Sequence, residues 1–331
     1  MTDISTKYMG LKLRSPLIVA SSGISDTLGN IHHFEKNDVG AVVLKSLFEE
    51  EILAEKHAKL KKMGSSGFIY PENLDFYDYL DDKTYESTEK YLQYIRELKQ
   101  KTEIPIIASI NCFTADQWTF FPKEIELAGA DALELNVFLL PSDLTQSKED
   151  IEKMYFDVIN AVTKEIKIPV ALKLSYYFTD LAAMLKRLSE TRIKGMVMFN
   201  RFYHPDIDIH SLDISTASVL SHPEDYANTL RWIAIMSDHL DCDIAASTGV
   251  HNSETMIKML LAGASAVQAA SVFYHKGVDY SKTMIEGLKT WMQKMEYKSI
   301  KDFKGKMSQQ ETGSPEVFQR VQFMKYFRAL K

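Results

Sequence analysis

Eight short apolar runs recur along the chain. Each closes on a small or polar residue, and amphipathic stretches lie between them. They span 16–21 (PLIVAS), 40–46 (GAVVLKS), 105–111 (PIIASIN), 131–136 (DALELN), 169–175 (PVALKLS), 195–200 (GMVMFN), 243–248 (DIAAST) and 265–271 (SAVQAAS). Near-continuous apolar character over so few residues predicts parallel strands covered on both faces. The intervening stretches carry the helical period. Tyr91, Leu92, Ile95 and Leu98 share a face within 85–102, and Ile151, Met154, Val158 and Val162 share one within 149–166. The segments 180–193 and 252–264 follow the same spacing, the latter with Asn252 or Ser253 as its cap. In AGADALEL and AGASAVQA, Gly129 and Gly263 supply the left-handed residue that ends a helix before a strand begins. EIPIIAS and KIPVALK form a second matched pair of strand entrances.

Eight strands alternating with helices predict a single (β/α)8 TIM barrel, with residues 1–331 as one domain. The alternative is a doubly wound open sheet. Against it, no G-x-G-x-x-G follows the first strand and no Walker sequence occurs. Two connections are long, 47–84 after the second strand and 201–230 after the sixth. Long loops at strand C-termini serve as lids or binding loops in barrels. Their Tyr and Phe content suits covering a flat aromatic ligand, and packing over the barrel mouth or a dimer contact accounts for it equally well.

Composition narrows the functional classes. The chain has 331 residues, 45% hydrophobic and 25% charged, as expected of a globular protein. A net charge of −6 argues against nucleic acid or an anionic membrane as partner, since both require a basic face. No H-x-x-H or H-E-x-x-H spacing points to a metal. Cys112 and Cys242 lie far apart and suggest a reducing compartment, and the run PLIVA is too short for a signal peptide or membrane span. A cytoplasmic protein is the expectation.

In a barrel the strand C-termini converge on one site. Here they carry Ser21, Ser22 and Gly23; Lys45 and Ser46; Asn111 and Cys112; Asn136; Lys173 and Ser175; Asn200; Ser247, Thr248 and Gly249; and Ala270 and Ser271. This set has two ammonium groups, three amides and no carboxylate, which suits a neutral-to-anionic ligand rich in carbonyls and ring nitrogens. Lys173 within ALKLS must face a cavity or an anion, or else extend to the rim. Lys45 in VVLKS repeats the arrangement. The small residues around Thr248–Gly249 and Ala270–Ser271 suit a backbone phosphate site after strands seven and eight, or simply a tight turn.

These motifs in this order (ASSG, GAVVLKS, PIIASI, GADALELN, PVALKL, MVMFN, STGV and AGASAVQAAS) resemble the FMN-containing dihydroorotate dehydrogenase family, nearest its soluble class 1 branch. The resemblance implies an FMN cofactor and oxidation of dihydroorotate to orotate in pyrimidine (UMP) biosynthesis. It also implies fumarate or another small electron acceptor, and a homodimer. It places Ala20, Ser21 and Gly23 along the flavin, with Ser46 beside them. Lys45 and Lys173 would lie at its ring and ribityl regions, and Thr248, Gly249, Ala270 and Ser271 at its phosphate. Lys45, Asn136 and Asn200 would contact substrate, and the two amides match family positions that touch either the flavin or the pyrimidine, Asn136 counting as a cofactor contact as well. Family members carry Gly-Gly where this chain has Thr248-Gly249.

The family's catalytic Cys or Ser precedes a Pro after the fourth-strand Asn. In NVFLLPSD that position holds Leu140, which has no proton chemistry, and Ser142 beyond Pro141 is the nearest hydroxyl. Ser142, with Lys173, is the expected catalytic pair, and Cys112 is a second candidate base. The substrate Asn of the second-strand loop is sought among Ser65, Ser66 and Asn73. No [2Fe–2S] spacing or nicotinamide motif occurs, so a partner of that kind would be a separate subunit. Other readings are a flavoenzyme of this fold with another substrate, a flavin-free enzyme using Lys173 as a Schiff base, and a non-catalytic flavin-binding relative.

Overall fold

The computed structural model describes residues 2–48, 87–112, 121–137, 139–202, 204–216 and 218–320. Each predicted apolar run forms a strand: β1 Leu17–Val19, β2 Ala41–Val43, β3 Ile106–Cys112, β4 Ala132–Val137, β5 Val170–Leu174, β6 Gly195–Met198, β7 Asp243–Ala246 and β8 Ala266–Ala269. All neighbours pair in parallel. β8 closes onto β1 through Gln268 opposite Ile18, so the eight strands form a closed barrel. A short strand, Leu47–Phe48, pairs with the far end of β3.

Helices α1 Leu28–Lys36, α2 Ser87–Lys101, α3 Phe121–Ala128, α4 Lys148–Glu165, α5 Leu181–Ser189, α6 Tyr226–Met236 and α7 Ser253–Ala262 each follow one strand; α8 Ser271–Lys276 and α9 Tyr280–Lys294 follow β8. Side-chain caps start four of them: Thr27, Ser147, Asp180 and Asn252 each accept from a backbone N–H three residues on. Asn252 is therefore the cap of α7. Leu92, Ile95, Leu98, Val158 and Val162 are buried against the sheet, as their spacing predicts. Gly129 and Gly263 take φ +98° and +120°, where a side chain would be strained.

The matched Ile-Pro entrances share a physical device. Glu35 Oε1 accepts the backbone N–H groups of Glu103 and Ile104 at 2.6 and 2.9 Å, ahead of β3. Glu126 Oε1 accepts those of Lys167 and Ile168 at 2.7 and 3.2 Å, ahead of β5. A carboxylate near the end of the helix two strands earlier thus satisfies the backbone where Pro cannot pair. Burial works against the Glu126 charge. Lys123 and the two N–H groups outweigh it and hold that carboxyl below its ordinary range.

Two apolar clusters form the core. The larger lies between barrel and helices. The smaller lies inside the barrel, where Ala41, Ala132, Ala171, Ala245 and Ala266 leave room for a plug. An N-terminal hairpin, Thr6–Tyr8 with Leu11–Leu13, supplies Tyr8, Met9 and Leu13 to fill that space. Met9 and Gly10 both have positive φ, as a tight hairpin turn requires. The long connection after β6 contains a second hairpin, Pro205–Asp208 with Asp213–Thr216, fully exposed in both strands. The other long connection falls largely on residues 49–86, outside the described residues, and so do Ser65, Ser66 and Asn73. Among the described residues no helix is long and apolar enough to cross a membrane.

Candidate functional site

Strand alternation decides which side chains reach the barrel axis. In β4, Leu133, Leu135 and Val137 join the outer core, leaving Ala132, Glu134 and Asn136 for the interior. In β5, Leu172 and Leu174 pack outward, and Lys173 points in beside Asn136 in register. The inner layers change from apolar at the hairpin end to polar at the strand C-termini. There they floor a cavity of about 630 Å³, within the range of roughly 300–1,000 Å³ common for small-molecule and cofactor sites.

Most of the sequence-predicted site residues line this cavity: Ala20, Ser21 and Gly23 after β1, Lys45 and Ser46 after β2, Asn136 on β4, Lys173 on β5, and Asn200 after β6. Thr248 and Gly249 after β7 and Ala270 and Ser271 after β8 complete the ring. Asn111 at the β3 tip and Ser175 after β5 are not among the lining residues, and neither is the expected base Ser142. Ser142 is exposed, and its backbone N–H bonds to the Leu140 carbonyl at 2.8 Å. Leu140 is 52% exposed. Cys112 ends β3.

A continuous polar chain crosses the floor. Asn200 Nδ2 donates to Asn136 Oδ1 at 2.7 Å, and Asn136 Nδ2 donates to Ser46 Oγ at 3.5 Å. Ser46 Oγ bonds Ser109 Oγ at 2.8 Å and Ser21 Oγ at 3.1 Å. These bonds orient both amides before any ligand arrives. Below them, Gln268 Nε2 donates to Glu134 Oε2 at 2.6 Å, and Lys173 Nζ lies 3.5 Å from Glu134 Oε1. All three are buried. Among the described residues, Gln268 Oε1 is buried without a hydrogen-bond partner.

The rim after β7 and β8 is shaped by backbone conformation. Thr248 and Gly249 have φ +77° and +74°. A β-branched residue there is a true outlier, and the bond from Thr248 Oγ1 to the Phe199 carbonyl at 2.9 Å holds it. A Cβ on Gly249 would stand 2.2 Å from the Tyr226 backbone nitrogen. Among the described residues, the backbone N–H groups of Gly249, Ala270 and Ser271 make no hydrogen bond. Free N–H groups on close-packed backbone are what an anionic group needs.

Sequence reasoning missed several residues that support the site. Glu134 and Gln268 sit two positions before the strand tips, and the period-two pattern of DALELN and SAVQAA carries their signal. Tyr155 of α4 is buried beside the Ser175 side chain and the Leu139 backbone, between the segment after β4 and the end of β5, and burial pushes its phenol up to about 12. Arg201 Nη1 donates to the carbonyls of Ser218 and Val219 and its Nε to Asp225, which folds the chain after the exposed hairpin back onto the cavity. Ser221 in that segment donates its backbone N–H to Ser271 Oγ at 3.0 Å and bonds His251 Nε2 at 2.9 Å. Burial and the neighbouring His275 hold His251 below its ordinary range.

The sequence profile of the family described as "Dihydroorotate dehydrogenase" matches residues 3–292. The "Dihydroorotate dehydrogenase B (NAD(+)), catalytic subunit" of Thermoplasma volcanium is 24% identical over 315 residues, covering 92% of this chain and 98% of that protein. The protein of the same description from Methanocaldococcus jannaschii is 24% identical over 294 residues, covering 86% and 91%. The "Dihydroorotate dehydrogenase A (fumarate)" of Limosilactobacillus reuteri is 23% identical over 282 residues, covering 82% and 88%.

Proposed function

We propose that this chain, which belongs to the dihydroorotate dehydrogenase family, oxidises dihydroorotate to orotate in pyrimidine biosynthesis, using FMN held in the cavity. The observation that carries the reading is the cavity itself. It unites Lys45, Lys173, Asn136 and Asn200 with the rim of Gly249, Ala270 and Ser271.

The residues present fit the cofactor. Unbonded N–H groups at the β7–β8 rim suit a phosphate, and the unpartnered Gln268 Oε1 suits a donor at the floor. Gly249, Thr248, Ala270 and Ser271 would hold the phosphate, Ala20, Ser21, Gly23 and Ser46 the flank of the flavin, and Lys173 and Lys45 its ring and ribityl regions. When bound, FMN supplies an acceptor for the two electrons of the substrate's CH–CH bond. Lys45, which is exposed in the cavity, would attract the dihydroorotate carboxylate. Asn136 and Asn200, already bonded to each other, would orient the pyrimidine ring and add little ordering cost on binding. The electron acceptor is a small molecule or a separate subunit. We place the enzyme in the cytoplasm as a homodimer of one-domain chains, without nucleic acid, membrane or metal partners.

Equilibrium binding tests the cofactor assignment. One FMN per chain is expected, with riboflavin bound more weakly because it lacks the phosphate; a chain that does not bind FMN at saturating concentration contradicts the reading. Ser142 tests the base. Its exposed position outside the cavity predicts that Ser142→Ala leaves the rate of anaerobic flavin reduction by dihydroorotate unchanged. A large loss of rate would instead assign the proton transfer to Ser142, with its loop closed over the cavity.

A further inference from the structure

We infer that Glu134 is a positioning residue for the cofactor site: from beneath the cavity floor it holds Lys173 and Gln268 in place and sets the net charge that a bound flavin meets. The inference rests on the reading that FMN occupies the cavity. Glu134 is 1% exposed and does not line the cavity, whereas Lys173 and Gln268 both do. It therefore acts on a ligand through them. Its two oxygens are divided between them, Oε2 accepting from Gln268 Nε2 at 2.6 Å and Oε1 lying 3.5 Å from Lys173 Nζ.

Two consequences follow from chemistry. A carboxylate only accepts hydrogen bonds, so Gln268 must turn Nε2 toward Glu134, which leaves Oε1 as its free acceptor. A long ammonium side chain next to an open cavity ordinarily extends toward water. Lys173 instead stays buried at 7% exposure, in line with the attraction of Glu134 below it. The pair is also a charge setting. A flavin held against Lys173 gains negative charge on reduction. A carboxylate on the far side of the ammonium opposes that gain, and its removal favours it.

The test is a redox titration of the FMN-loaded chain against a reference dye, followed in the flavin spectrum. Glu134→Gln keeps the shape and an acceptor for Gln268 but removes the charge. Its midpoint is expected to rise by about 30 mV or more, at least tenfold in the reduced-to-oxidised ratio for a two-electron couple. Glu134→Asp retains the charge and is expected to stay near the unmodified value. Equal midpoints in the unmodified chain and Glu134→Gln, or an equal rise in Glu134→Asp, overturn the role of Glu134. If Glu134→Gln does not fold or load, Gln268→Glu adds a carboxylate to the same floor and is expected to lower the midpoint; an unmoved midpoint there overturns it too. Failure of the unmodified chain to bind FMN is a separate result, and it overturns the cofactor reading instead.

Discussion

Replacing Lys173 with methionine is expected to destabilise the chain by about 3–5 kcal/mol, the usual cost of removing one partner from a buried ion pair. Glu134 is 1% exposed, and without the ammonium 3.5 Å away its Oε1 has no other partner among the described residues. Against a total stability of about 5–15 kcal/mol, such a loss is large. The cause is the stranded carboxylate rather than lost packing, because methionine fills most of the lysine's volume. The double replacement Lys173→Met/Glu134→Gln is therefore expected to regain most of the stability while FMN binding stays weak. Urea unfolding of the single and double variants without added FMN measures the first effect, free of ligand linkage. A single variant as stable as the unmodified chain would show that the pair contributes nothing to folding.

Replacing Gly249 with alanine is expected to lower FMN affinity by about 100-fold or more, roughly 2.7 kcal/mol. Its φ of +74° costs an L residue about 1–2 kcal/mol. Its Cβ would also meet the Tyr226 nitrogen at 2.2 Å and the Asp225 carbonyl carbon at 2.8 Å, so backbone must move. The loop that moves is the one that carries the rim N–H groups proposed to hold the phosphate. Riboflavin has no phosphate, so its affinity is expected to change far less. Fluorescence titration with both ligands checks this, and equal losses for the two would place the damage in the flavin flank rather than at the rim.

Much of this architecture is legible in the sequence. Buried parallel strands are near-continuously apolar, so Lys45, Asn136, Lys173 and Asn200 stand out where such a run stops or is interrupted, and seven of the eight strand tips supply residues to one cavity. Glu134 escapes that logic. It lies inside a run rather than at its tip, and its hydrogen-bond partner Gln268 is 134 residues away. Only closure of the barrel brings the two together. The N-terminal hairpin escapes for a different reason. Three-residue strands carry no readable period, and the fit of Tyr8 depends on alanines scattered over five other strands. Ser142 follows Pro141, so alignment of the motif brings it near the base position, but distance along the chain does not fix the path of a loop. The structure leaves its hydroxyl exposed, outside the cavity. The residues on which the second-strand loop was to supply a substrate amide lie outside the described residues.

If the cavity oxidises dihydroorotate on bound FMN, anaerobic addition of dihydroorotate to the FMN-loaded chain bleaches the flavin absorbance as orotate forms in equal amount. Flavin that is bound and reducible by dithionite, yet stays oxidised with excess dihydroorotate, would rule this activity out.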